Sequence, residues 1–219
     1  MNGTRALLRY FFHRELRESH QLWSLFLFAL TTVYACYRIA AGSVDARAWV
    51  TLHWVVVLFS AFNAASRVHA DDAPEVRAWM RSWVGPRQWA AARSIHATFV
   101  LVAVTAVVFL AFVVFLPSPV LTGGTFKWLV GMVATAWALA ALLAVVSDLA
   151  LRAGGGFGLT AVLGLPLVVP VVLVSTHYCH GVARALPWGE LWPDLVFLVV
   201  LAGVAHAIAA VVFPYLWTE

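Results

Sequence analysis

The sequence is poor in charge. Only 11% of its 219 residues are Asp, Glu, Lys or Arg, whereas 63% are hydrophobic. A water-soluble domain has about a quarter charged residues and about half apolar ones, so this composition excludes that class. The apolar residues are mostly Leu, Val and Ala in continuous runs, not in the short alternating segments of a membrane β-barrel. The sequence therefore predicts an all-α membrane protein.

The sequence also lacks the motifs of common enzymes. It contains no HExxH or GxSxG motif and no paired carboxylates within an apolar run. The glycine run that begins at Gly154 has no following Lys-Ser/Thr, which a phosphate-binding loop needs. The scarcity of acids within the apolar runs argues against an ion-coupled transporter. We expect this chain to have no catalytic residue and not to be an enzyme by itself.

Cysteine is scarce as well, with Cys36 and Cys179 the two in the chain. There is no CxxC, no CxxCH and no spacing typical of a zinc site, so we expect no metal ligands. Two alternatives stay open for the pair, a disulfide in an oxidising compartment or two buried apolar thiols.

Six stretches are long and apolar enough to cross a bilayer, which takes about 20 residues in a helix. They lie near residues 22–40, 48–66, 95–116, 128–150, 159–177 and 194–215. The loops between them are short, which predicts one transmembrane domain over residues 1–219 with no room for a second, soluble domain. If the N-terminus is cytoplasmic, ten basic residues fall inside and four outside. The positive-inside rule then predicts that both termini are cytoplasmic, and it accounts for the net charge of +4 without a nucleic-acid partner.

Residues 1–21 carry no recognisable cleavable signal peptide. Basic residues recur every four positions there, with aromatic and aliphatic residues largely on the other side; the basic set is Arg5, Arg9, His13 and Arg17. This pattern favours an amphipathic helix lying in the membrane interface over a simple extension of the first span.

A short cytoplasmic helix is predicted between the second and third spans, over residues 71–85. Asp72 can cap its start, Glu75 completes a capping box, and Gly85 with Pro86 ends it. One face carries apolar residues at i, i+3, i+4 and i+7, namely Val76, Trp79, Met80 and Trp83. That face suits either the bilayer surface or a groove on a cytoplasmic partner.

Prolines interrupt the predicted fifth span. Pro166 and Pro170 each remove one helical N–H, and such a loss is tolerated in hydrocarbon where protein or water satisfies the freed carbonyl. We therefore expect a kinked helix facing the bundle interior or a conduit. Its kink is either a static packing feature or a hinge, with Gly154 and Gly155 forming the turn before it.

Histidines are the remaining candidates for chemistry. His53 and His206 lie inside predicted spans, and His177 and His180 form an i,i+3 pair at the end of the fifth. All four are candidate heme contacts. A b-type cytochrome needs two axial histidines at matched depth on facing helices. The alternative for each is a hydrogen-bonded interior histidine.

These features together resemble the membrane subunits of ABC-2 exporters, and within that class the CcmB family, heme exporter protein B. Three stretches carry the resemblance: LRYFFHRELRESHQLW, the loop from Arg67 to Asp72 with the later Gly85, Pro86 and Arg93, and LRAGGGFGLTAVLGLPLVVPVVLVS. The last has the family's basic residue, glycine pair and Pro-Leu-x-x-Pro, at Arg152, Gly154, Gly155, Pro166, Leu167 and Pro170. The segment Ala73–Arg77 departs from the family's Gly-x-Leu-Glu.

The resemblance implies a permease subunit of an ATP-driven transporter in heme export or delivery for cytochrome c maturation. It implies a homodimer in the bacterial cytoplasmic (inner) membrane, with ATP bound by a separate CcmA-like subunit that docks on the 71–85 coupling helix. CcmC-like and CcmD-like membrane proteins and a CcmE-like heme chaperone would be further partners. Heme would be a handled ligand rather than a tightly bound cofactor. Alternatives are an ABC-2 permease for lipid, polysaccharide or drug, and a stand-alone membrane b-type hemoprotein.

Overall fold

The computed structural model describes residues 3–17, 19–40, 44–70, 84–119, 124–154 and 157–217. All regular secondary structure in these residues is α-helical, in seven helices. They are α1 (Gly3–Arg17), α2 (Ser19–Ile39), α3 (Ala46–Ala70), α4 (Pro86–Phe115), α5 (Thr125–Arg152), α6 (Phe157–Ala183) and α7 (Trp188–Trp217).

Five of these helices, α3 to α7, are long and apolar enough to cross a membrane. The prediction of a helical, multi-pass membrane protein is therefore confirmed. The apolar part of α2, Trp23–Ile39, is shorter than the other five. It corresponds to the first predicted span, and a sixth crossing stays a prediction.

Contacts between helix ends define two ends of the bundle. At one end, the C-terminal end of α2 contacts the C-terminal end of α4 through Tyr37 and Phe115. At the same end, Phe126 at the start of α5 contacts Trp188 at the start of α7. We call this the Trp188 end. At the other, the start of α4 meets the end of α5 through Arg93 and Asp148. This is the Arg93 end, and in the predicted orientation it is cytoplasmic.

Helix α4 begins earlier than its predicted span. Gly85 has an extended backbone, Pro86 occupies the first turn, and the Gln88 and Trp89 amides both donate to the Gly85 carbonyl. Proline is favoured in a first turn, where its missing N–H has no helical partner to lose. The helix therefore starts nine residues before position 95, which adds two and a half turns at the Arg93 end.

The N-terminal helix packs against these extra turns of α4. Leu7 and Phe11 of α1 are buried with Trp89 and Ala92, and Val84 packs against the same cluster. The in-plane placement of α1 stays a prediction. Part of the apolar face of α1 nevertheless packs against α4, so that this face does not contact lipid alone.

Helix α6 runs without a break through both of its prolines. The side chains of Pro166 and Pro170 are exposed, whereas Val168, between the two prolines, and Val171, directly after Pro170, are buried. The prolines therefore lie on the outward face of α6 and not in the bundle interior. A conduit along that outward face stays a proposal.

Candidate functional site

A buried ion pair marks the Arg93 end. Arg93 Nη1 of α4 lies 3.6 Å from Asp148 Oδ1 of α5, with side-chain exposures of 10% and 17%. Charged groups are almost never buried unless they are paired, because isolated burial forfeits their hydration. This pair ties the first turns of α4 to the last turns of α5.

His206 of α7 joins the same end of the bundle. Its Nδ1 lies 2.8 Å from the carbonyl of Ala202, and its Nε2 lies 2.7 Å from Ser94 Oγ. A carbonyl only accepts, so Nδ1 carries the proton and Nε2 of the neutral ring accepts from the Ser94 hydroxyl. A cavity of about 20 Å³ lies among Arg93, Asp148 and these groups, large enough for one water molecule.

A second histidine connects α1 to this end. His96 Nε2 of α4 lies 3.0 Å from Glu15 Oε2, although the two are not aligned as a hydrogen bond. The His96 ring also packs against Phe11 and Phe12. The start of α4 is therefore joined to α1, α5 and α7 by polar contacts.

His53 lies in an aromatic cluster nearer the Trp188 end. Its ring stacks on Trp49 at 5.6 Å with an interplanar angle of 5°, and it meets further rings edge-on. Those rings belong to Trp54, Phe109, Phe112 and Trp128. The His53 side chain is fully buried, and neither ring nitrogen has a hydrogen-bond partner.

The Trp188 end carries a different histidine. His177 Nδ1 of α6 lies 2.8 Å from Asp194 Oδ2 of α7. The His177 side chain is 80% exposed, and that of Asp194 is 17% exposed. The carboxylate therefore binds one ring nitrogen of the imidazole, and the other ring nitrogen is directed away from the carboxylate.

The four candidate heme contacts do not lie together. His53 lies beside Phe109 of α4, and His206 lies beside Ser94 of the same helix. These two α4 positions are fifteen residues, or about 22 Å, apart. His53 and His206 therefore cannot ligate one iron from opposite sides in this arrangement. His177 and His180 do share one end of α6.

Most of the predicted coupling helix lies outside the described residues, including Asp72, Glu75, Val76, Trp79, Met80 and Trp83. Of the predicted hinge, Gly154 takes a left-handed backbone with φ of 71°, as a tight turn after α5 requires. Gly155 lies outside the described residues.

Several polar pairs were not foreseen from the sequence. Asp148 of α5 lies against Arg93 of α4, which is 55 positions away in the sequence. The pairs Ser94–His206 and His177–Asp194 join residues 112 and 17 positions apart. The sequence signal for such a pair is a polar or charged residue inside an apolar run. That signal identifies one residue of the pair but not the residue that it contacts.

Cys36 and Cys179 are both free thiols. The Cys179 side chain is fully buried, which fits the alternative of a small apolar residue. Among the described residues, no three His, Cys, Asp or Glu side chains gather closely enough to hold a metal ion.

No protein-family model matches this chain, and no curated protein matches it in sequence.

Proposed function

We propose that this chain is the membrane permease subunit of an ATP-driven ABC transporter. In this proposal it acts in heme export or delivery for cytochrome c maturation. A separate CcmA-like subunit hydrolyses ATP, and this chain converts that work into release of heme or of a heme-loaded chaperone. The chain works as a homodimer in the bacterial cytoplasmic (inner) membrane, with both termini cytoplasmic. CcmC-like, CcmD-like and CcmE-like proteins are its expected partners.

The observation that carries the proposal is the connection between the 71–85 segment and the bundle. Val84, the first described residue of that segment and the last but one before its end, packs against the cluster of Leu7, Phe11, Trp89 and Ala92. Pro86 then starts α4 directly. A force on the segment is therefore delivered to α1 and α4 together, because packed interiors transmit displacement with little compression.

The polar contacts of the Arg93 end extend this connection. Arg93 links α4 to α5 through Asp148, and Ser94 links α4 to α7 through His206. Movement of the first turns of α4 would break or re-form these contacts. The coupling segment, α4 and the helices beyond it therefore make a physical route from a cytoplasmic ATPase to the membrane core.

The test is affinity purification of the chain from native membranes in mild detergent. We expect a P-loop ATPase to co-purify, together with a CcmC-like protein. The double variant Trp79→Ala/Trp83→Ala should lose the ATPase while the membrane fold is retained. The matched control is Trp188→Ala/Trp192→Ala, which removes two exposed tryptophans at the opposite end.

Three outcomes would contradict the proposal. Unchanged ATPase association in the Trp79/Trp83 variant would remove the coupling role of the segment. An ATPase that co-purifies with a lipid, polysaccharide or drug, and without any heme-handling protein, would favour a general ABC-2 permease. A lone chain with tightly bound heme would favour a membrane hemoprotein.

A further inference from the structure

The pair His177–Asp194 is built differently from every other polar pair described above. Its carboxylate is sheltered between α6 and α7, while the imidazole reaches outward. Because a carboxylate accepts, His177 Nδ1 carries the proton that it donates to Asp194. In the neutral ring, Nε2 is left with its lone pair on the exposed side.

This arrangement is the one that prepares histidine to bind a metal. Ligating histidines nearly always donate their second ring N–H to a carboxylate, a carbonyl or water. That hydrogen bond fixes the tautomer and the ring orientation, and it raises the basicity of the ligating nitrogen. At an exposed position without a ligand, the same hydrogen bond contributes little stability, since exposed polar pairs are worth little.

The pair offers one ligand atom, and this number selects the class of metal. A bare ion such as Zn²⁺ takes three or four protein ligands, and no group of three is present among the described residues. Iron already held in the plane of a porphyrin needs only an axial ligand from the protein.

The surroundings of His177 suit an anionic, planar ligand. Arg47 and Arg184 lie close enough to the neighbouring His180 to interact with it electrostatically, as do His177 itself and one acid, Asp45. Arginine is the preferred partner of carboxylates such as the two porphyrin propionates. Two exposed tryptophans, Trp188 and Trp192, lie at the same end of the bundle and offer flat apolar rings.

We propose that His177 Nε2 is an axial ligand for an iron porphyrin docked at the Trp188 end, with Asp194 as its positioning residue. This inference rests on the proposed function, which supplies heme as the handled molecule. It selects His177 from the four candidate histidines. His53 is enclosed by rings, His206 is engaged by Ser94 and the Ala202 carbonyl, and His180 is less exposed than His177.

The test is a titration of the purified chain in lipid nanodiscs with hemin, followed in the visible spectrum. His177→Ala should weaken binding at least 10-fold and remove the spectrum of a histidine-ligated iron. Added imidazole should restore that spectrum in the variant, because it replaces the missing ligand. The matched control is His20→Ala, which removes an exposed histidine outside this site and should leave the spectrum unchanged.

Asp194→Asn should weaken hemin binding about 10-fold, in the range found for second partners of ligating histidines. Asp194→Glu should restore part of the affinity, and both variants should shift the iron reduction potential. A merely structural carboxylate would change the thermal stability without moving that potential. Metal-free protoporphyrin is the second probe, and its binding should be insensitive to His177→Ala because no iron–nitrogen bond is involved.

Wild-type hemin affinity and an unchanged spectrum in a folded His177→Ala protein would overturn the assignment. The assignment would also be overturned if His180→Ala lost the spectrum of histidine-ligated iron while His177→Ala kept it. These results are distinct from failure of the proposed function, which is read from the co-purifying ATPase. If an ATPase co-purifies but the chain does not bind hemin, only the His177 site is contradicted. If the chain binds hemin through His177 but no ATPase co-purifies, the transporter proposal is contradicted.

Discussion

The two ends of this bundle hold their polar side chains in opposite ways. At the Arg93 end, Arg93 and Asp148 are largely buried and form an ion pair within the protein. At the Trp188 end, His177 is turned outward and uses only one of its ring nitrogens on Asp194. The polar groups of the Arg93 end join helices to one another, whereas at the Trp188 end one ring nitrogen of His177 stays available. In the two proposals made above, this difference separates the end that transmits force from the end that binds a ligand.

The largest expected effect comes from breaking the inward pair. Arg93→Met should lower the free energy of unfolding by about 3–5 kcal/mol, because it removes the cation beside a buried carboxylate. The double variant Arg93→Met/Asp148→Leu should recover most of that loss. Chemical unfolding in nanodiscs measures both. Arg184→Met, which removes an exposed arginine at the opposite end, is the control. An equally large loss of unfolding free energy in Arg184→Met would show that the two ends do not differ in this respect.

The second effect concerns what holds the Trp188 end together. Tyr178 is fully buried next to the exposed His177, and its hydroxyl donates to the Lys127 carbonyl at 2.7 Å. A Cβ at Gly131 would overlap the Tyr178 ring. Gly131→Ala should therefore cost about 2 kcal/mol through overpacking. Gly203→Ala, where an added Cβ meets nothing within 4 Å, should cost none. Equal thermal midpoints for the two variants would show that packing at Gly131 is unimportant.

A smaller effect of opposite sign is expected at His53. Its ring nitrogens are buried without hydrogen-bond partners, and such groups carry an unrecovered desolvation cost. His53→Leu should therefore raise the free energy of unfolding by about 1 kcal/mol. Ser94→Ala, which removes a paired hydroxyl, should lower it by a similar amount and is the comparison variant. Destabilisation by His53→Leu would mean that the stacking on Trp49 outweighs the missing hydrogen bonds.

The smallest effect on stability is expected at His177. His177→Ala should leave the thermal midpoint within the scatter of repeat measurements, because the side chain is 80% exposed. The same variant has the largest expected effect on hemin binding. A fall in midpoint comparable to that of Arg93→Met would show that the His177–Asp194 pair is structural and that the two ends are alike.

Much of the fold follows from local patterns. Continuous apolar runs predict five of the spans that the structure contains, and Gly85-Pro86 marks a helix boundary. The amphipathic pattern of residues 5–17 predicts α1. These features depend on neighbouring residues alone, since helical hydrogen bonds close within four positions.

The candidate sites were less accessible from the sequence. Asp148 was visible as an acid at the edge of an apolar run, but nothing near it in the sequence pointed to Arg93, which is 55 positions away. The helix that carries the two prolines, α6, was expected to face the bundle interior or a conduit, and the proline side chains lie on its outward face. Helical periodicity states which residues share a face. It does not state which face the bundle buries when nearly every residue is apolar.

The sequence by itself determined that this is a helical membrane protein, roughly where its long apolar helices lie, and which few residues are polar enough to matter. Only the tertiary structure decided that His53 is enclosed, that His206 is engaged, and that His177 has a carboxylate behind it and open space before it. The physical reason is that burial and hydrogen bonding of a side chain depend on residues brought from other helices. Hydropathy within one helix carries no record of them.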